Sequence, residues 1–172
     1  CVTPPKTPKT LFDRTLARKM RASVVVTGPI LARGGQVSFP HPGGCVIGAR
    51  PIDLFIKSFE KLGAVCESDD EYYHVRAPQG LHGTEIFLNI ASVGVTETLL
   101  MTAILAQGTT TIYNAAMEPE IQNLASYFVQ CGAHIEGIGT PTLSIKGGNP
   151  LVARAPYRVV PDRIEAGSFL IL

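Results

Sequence analysis

The residues best suited to chemistry lie between Phe39 and Pro51, where the chain reads Pro-His-Pro-Gly-Gly-Cys-Val-Ile-Gly-Ala-Arg. Gly43-Gly44 gives a backbone that can swing or approach a ligand closely. Cys45 follows directly, and Arg50 precedes the helix predicted to start at Pro51. A helix start presents free N–H groups and the positive end of its dipole, and a guanidinium beside it suits phosphate or carboxylate. A thiol near such positive charge is partly thiolate and therefore reactive. From spacing alone, an inert loop cysteine is the competing reading, and the slightly favoured one.

The elements that must position this segment come from an internal repeat. Gly28-Pro-Ile-Leu-Ala-Arg-Gly-Gly-Gln-Val-Ser-Phe39 is answered by Thr102-Ala-Ile-Leu-Ala-Gln-Gly-Thr-Thr-Thr-Ile-Tyr113, each an Ile-Leu-Ala-x-Gly followed by an alternating, strand-like run. Two amphipathic helices then match. Pro51–Ala64 places Ile52, Phe55, Ile56, Phe59 and Leu62 on one face, and Pro119–Ala133 does so with Ile121, Leu124, Ala125, Phe128 and Cys131. Proline opens each and Gly63 or Gly132 ends it. Short strands follow, at 65–67 and 72–76 in the first copy and at 134–136 and 142–146 in the second. Leu11–Lys19 fits either a strand and turn or a helix. Residues 1–15 form a loose lead-in. The copies run from about 20 to 88 and from 89 to 150, and a third begins near 157, where Val159–Leu172 repeats the pattern of Ile90–Leu99. A stack of βαβαββ units in the α/β (α+β) class is expected, with mixed rather than parallel sheets. The segment 39–51 is far longer than its counterpart Asn114–Glu118, as befits a functional loop grafted on a repeat.

Composition narrows the function. Fifteen Lys and Arg nearly balance fourteen Asp and Glu, for a net charge of +1. That argues against nucleic acid or an anionic membrane as partner. The most apolar stretch, Val93–Ala106, is broken by Gly94, Thr96, Glu97, Thr98 and Thr102, so no membrane span is expected. The four cysteines are scattered, with no zinc spacing and no disulfide framework, which fits a reducing cytoplasm. Cys66 and Cys131 sit in apolar patterns and fit a core. His41, between two prolines, fits a rigid exposed turn. The chain opens on Cys1 and stops in the apolar run Ala166–Leu172, so a fragment of a longer protein is expected.

Several motifs together carry a resemblance. Met20-Arg-Ala-Ser23, Gly28-Pro29, Pro42-Gly-Gly-Cys-Val-Ile-Gly-Ala-Arg-Pro-Ile-Asp53, Ser92-Val-Gly94, Glu118-Pro-Glu120 and Pro161-Asp-Arg-Ile-Glu165 resemble the UDP-N-acetylglucosamine 1-carboxyvinyltransferase family. These are the enolpyruvyl transferases that open bacterial peptidoglycan synthesis, and they are targets of the epoxide fosfomycin. The resemblance covers about Leu16 to Leu172. Its cysteine loop separates it from the shikimate-pathway enolpyruvyl transferase, which shares the fold. It implies an inside-out α/β barrel of three βαβαββ units and a second domain beyond this chain. It also implies a bacterial cytoplasmic location and two small-molecule substrates, phosphoenolpyruvate and UDP-N-acetylglucosamine. No cofactor or metal is implied.

Residue roles follow by the same resemblance. Cys45 is implied to add to phosphoenolpyruvate or act as a general acid. Arg21 and Arg50 would hold the anionic substrates. Pro51, Ile52, Asp53 and Leu54 would line the uridine, and Ser92, Val93 and Gly94 would contact the diphosphate. Glu118 and Asp162 are possible cleft residues, with helix capping an equal alternative. One departure stands out. Where the family often has a lysine two residues before the serine, this chain has Ile90, a feature that favours a non-catalytic nucleotide-binding paralogue. The isolated chain is expected to be inactive.

Overall fold

A computed structural model describes residues 7–41, 52–148 and 151–172. The second copy is a complete βαβαββ unit: β4 (Glu85–Phe87), α5 (Val93–Ala103), β5 (Thr109–Tyr113), α6 (Pro119–Gln130), β6 (His134–Glu136) and β7 (Thr142–Lys146). Its four strands lie in the order β4-β5-β7-β6, with β4 and β5 parallel and the other pairs antiparallel. The mixed sheet expected from the sequence is therefore present.

The first copy is a looser version of the same unit. It comprises α1 (Arg14–Lys19), α2 (Ala22–Val25), α3 (Thr27–Gly34), β1 (Gln36–Pro40), α4 (Asp53–Lys61), β2 (Val65–Ser68) and β3 (Tyr72–Arg76). Its strands form an antiparallel sheet in the order β1-β3-β2. The place that β4 takes beside β5 is filled by a single parallel bridge, Leu11 to Ser38. Leu11–Lys19 is thus both alternatives at once, a strand-like residue and then a helix capped by Asp13, whose side chain accepts from the Leu16 amide. The boundary near residue 89 leaves β4 with the first copy, yet β4 pairs with β5 of the second. Three residues are too short to announce their partner.

Each sheet turns one face inward, with Val37, Phe39 and Val75 on the first and Ile86, Ile112, Leu143 and Ile145 on the second, all buried. Alternating polar residues face water. Helices pack on both sheets and on one another, and α5 is the most enclosed of them, with Val95, Thr96, Thr98, Leu99, Leu100, Thr102 and Ala103 all buried. A helix buried all round has to satisfy its own polar side chains. Thr98 Oγ1 donates to the Gly94 carbonyl at 2.7 Å and Thr102 Oγ1 to the Thr98 carbonyl at 2.6 Å. Thr96 Oγ1 accepts from the Ala116 amide at 3.0 Å, tying α5 to the β5–α6 connection. The threonines that interrupt the apolar stretch in sequence are thus compatible with a largely buried helix. Among the described residues no helix is long and apolar enough to cross a membrane.

The amphipathic pair appears as α4 and α6, closed by Gly63 and Gly132 at φ 94° and 105°. Cys131 is buried and Cys66 half-buried, as expected of core residues. Burial, then the charge of Glu60, pushes the Cys66 thiol up to about 11, so it is an inert thiol at neutral pH. Helix α7 (Arg163–Ile171) lies in the stretch where a third copy is expected.

On the solvent face of the first sheet, Ser38 Oγ lies 2.9 Å from His74 Nδ1, and His74 Nε2 lies 3.0 Å from Asp69 Oδ2. Asp69 also accepts from the amides of Glu71 and Tyr72. His41 is held by the same turn, its Nε2 2.9 Å from the Asp69 carbonyl and its ring edge-on to Tyr73. The His74 hydrogen bond first, and then the Tyr72 and Glu71 amides, hold the Asp69 carboxyl down at about 2 against an ordinary 3.8. A folded-state value below the unfolded one means stability present above pH 3.8 and lost as pH falls toward 2. Asp69→Asn is expected to flatten the acid limb of stability between about pH 4 and pH 2, which urea midpoints measured across that range would check. An unchanged limb would show that the turn does not depend on the carboxylate.

Candidate active site

Both α5 and α6 start where the parallel strands β4 and β5 end, and α4 follows β1 in the same sense. Helix N-termini are thereby gathered at the carboxyl ends of strands, the usual seat of ligand sites in α/β folds. Asn114 helps hold this edge together. It adopts φ 58° and donates from Nδ2 to the Leu88 carbonyl at 2.8 Å, joining the ends of β4 and β5.

The predicted nucleotide contacts meet here. Ser92 caps α5, its hydroxyl accepting from the Val95 amide at 3.5 Å, and Val93 and Gly94 form the first turn. Ile52 is buried and opens α4, its carbonyl accepting from the Phe55 and Ile56 amides. Asp53 is the first residue of α4 and is exposed, while Leu54 is half-buried against the core. The two helix starts touch through glycine. A methyl group on Gly94 would lie 3.4 Å from Phe55 Cζ and 3.9 Å from Val25 Cγ2. Arg21, one turn before Val25, is half-buried at the start of α2, which packs on α5. Six predicted residues, Ile52, Asp53, Leu54, Ser92, Val93 and Gly94, thus lie at the α4 and α5 starts, with Arg21 at the start of the neighbouring α2. Cys45, Arg50 and Pro51 lie outside the described residues. Ile90, two residues before Ser92, is 68% exposed.

A cleft of about 820 Å³ lies between α5, α6 and the start of α7. Asp162 lines it and serves as the cap of α7, with Oδ1 accepting from the Ile164 and Glu165 amides at 2.8 and 3.1 Å. Glu118 precedes α6 as a half-buried residue that makes no side-chain cap.

Sequence reasoning did not single out three charged residues of this cleft: Glu97, Glu120 and Arg163. Arg163 grips Glu120 with both prongs, Nε to Oε2 at 3.1 Å and Nη2 to Oε1 at 2.9 Å. The fork holds the Glu120 carboxyl below its usual range. Glu97 is half-buried on α5, and burial, then the charge of Glu120, pushes its carboxyl up. A lone charge inside an apolar helix was the signal for Glu97. Among the described residues, no three His, Cys, Asp or Glu side chains are grouped as metal ligands.

Comparison with known proteins gives a consistent picture. The family model described as EPSP synthase (3-phosphoshikimate 1-carboxyvinyltransferase) matches residues 1–172. A UDP-N-acetylglucosamine 1-carboxyvinyltransferase of Shewanella frigidimarina is 51% identical over 156 residues, covering 91% of this chain and 37% of that protein. One from Novosphingobium aromaticivorans is 52% identical over 161 residues, covering 93% and 38%. The chain therefore spans under two fifths of the length of these relatives. Among solved structures, the enolpyruvyl transferase NikO from Streptomyces tendae superposes with a TM-score of 0.72 at 21% identity, covering 92% of this chain and 37% of that one. The EPSP synthase of Acinetobacter baumannii superposes at 0.61 and 21%, covering 78% and 30%. These structural likenesses speak for the fold.

Proposed function

The chain belongs to the EPSP synthase (3-phosphoshikimate 1-carboxyvinyltransferase) family, and on that premise we propose that it is part of a UDP-N-acetylglucosamine 1-carboxyvinyltransferase. The enolpyruvyl group of phosphoenolpyruvate moves to the 3-hydroxyl of UDP-N-acetylglucosamine and phosphate leaves, the first committed step of peptidoglycan synthesis in a bacterial cytoplasm. One observation carries the choice within the family: relatives of that name are about half identical to this chain over nine tenths of its length. The share of those relatives that the chain covers supports a longer parent with a second domain. Residues 16–172 are then an incomplete inside-out barrel, two copies and the start of a third, with residues 1–15 as the lead-in.

In this reading Cys45 meets phosphoenolpyruvate from the 39–51 segment, as adding group or general acid. Arg21 and Arg50 neutralise the substrate charges. The α5 start offers the Ser92 hydroxyl and backbone N–H groups to the diphosphate. Asp53, with its neighbours Pro51, Ile52 and Leu54, reads the uridine. Glu118 and Asp162 face the reacting end from the cleft side. The exposed Ile90 favours one second reading, a paralogue that binds the nucleotide without turnover.

The test is covalent capture in the full-length parent protein. Incubated with fosfomycin and UDP-N-acetylglucosamine, it should gain one epoxide adduct by intact mass, and Cys45→Ala should gain none. Tight nucleotide binding without an adduct would leave the paralogue. Neither binding nor adduct would sink the substrate assignment.

A further inference from the structure

Helix α6 presents Glu120, Asn123, Tyr127 and Gln130 at spacings of three and four, which is one face of the helix. Every one of them grips the extended segment that leads into α7. Gln130 Nε2 donates to the Ala155 carbonyl at 3.3 Å. Tyr127 meets Tyr157 edge to face, with ring centres 5.2 Å apart. Asn123 donates from Nδ2 to the Tyr157 hydroxyl at 3.0 Å, and that hydroxyl donates to the Asn123 carbonyl at 2.9 Å. Glu120 takes the Arg163 fork. The last rung of this ladder falls one residue past Asp162.

We propose that Glu120 is a positioning residue of the transfer site: through Arg163 it sets the first turn of α7 and so holds Asp162 over the cleft. The inference rests on the enolpyruvyl-transfer reading above. Energetics separate this role from a structural one. The two side chains are 36% and 46% exposed, and an ion pair so open to water adds little to stability. Losing it leaves the core intact and removes the fork that ties the first turn of α7 to α6. Displacement of a group by about 1 Å can cost about a hundredfold in rate.

The full-length enzyme is the material for the test, compared with Glu120→Gln, Arg163→Glu and the double swap Glu120→Arg/Arg163→Glu. Glu120→Gln should lower kcat about tenfold to a hundredfold, with KM for the nucleotide sugar within about twofold and the thermal midpoint unmoved. The swap should recover most of what either single change loses. Amide exchange over residues 155–171 should quicken in Glu120→Gln. Unchanged turnover, a swap as poor as the singles, or unchanged exchange would each overturn the proposal. A parent with no transfer activity would instead sink the enolpyruvyl reading, while exchange would still decide whether Glu120 orders α7.

Discussion

Gly28→Ala should unfold or severely destabilise this chain, by about 3 kcal/mol or more. Gly28 is buried in α3 where that helix crosses α5. A methyl group there would collide with Thr102 Oγ1 and would stand 2.8 Å from Thr98 Cγ2 and 2.9 Å from the Thr98 carbonyl. The first two neighbours are buried side chains and the third is helix backbone, so little can give way. The Thr102 hydroxyl is also committed to the Thr98 carbonyl. A double-mutant cycle tests the cause. Thr102→Ala should recover only part of the loss, because the Thr98 carbonyl stays in place. A melting temperature for Gly28→Ala within a degree or two of the parent would mean the helices can part more easily than this packing implies.

This crossing is also where the repeat shows its physical purpose. In the aligned copies Gly28 stands where Thr102 stands, each two residues before Ile-Leu-Ala. The two counterparts meet at one point. Two related helices packed this closely cannot both carry a side chain there, so the copies must differ at the position. That difference was visible in the sequence, although its meaning depends on a contact between distant residues.

Other features were legible for local reasons. The helices α4 and α6 announced themselves by apolar spacing, an opening proline and a closing glycine, all within about fifteen residues. The strands β1 and β5 followed from alternation. What escaped was set by pairing across the fold. The lead-in of the first copy shrank to the single bridge at Leu11, because α1 takes up the chain immediately afterward. At the site, Glu118 and Asp162 were legible as motif residues. Glu120 and Arg163 stand in the same motifs, but their pairing was not legible, since they lie 43 residues apart and only the folded chain brings them together. Capping, weighed as an alternative for Asp162, is one task that its carboxylate performs.

The second large effect concerns the junction of the α4 and α5 starts. Phe55 is buried one turn into α4, and its Cζ would stand 3.4 Å from a methyl group on Gly94, so the ring packs the α4 start against the α5 start. Phe55→Ala should cost about 3–5 kcal/mol, as large-to-small changes in cores do. Phe55→Leu keeps most of the volume and should cost about 1 kcal/mol. Affinity gives the sharper measure. If the ring sets the spacing between Asp53 and Ser92-Val93-Gly94, UDP-N-acetylglucosamine should bind Phe55→Ala about tenfold more weakly, ~1.4 kcal/mol. Calorimetry must then be run well below the variant's melting point, so that unfolded protein does not pass for weak binding. Phe55→Leu, which still fills the gap, should bind within about twofold of the parent. Equal affinity in all three proteins would separate the ring's packing role from the site. The nucleotide would then be held by the helix starts without needing them braced against each other.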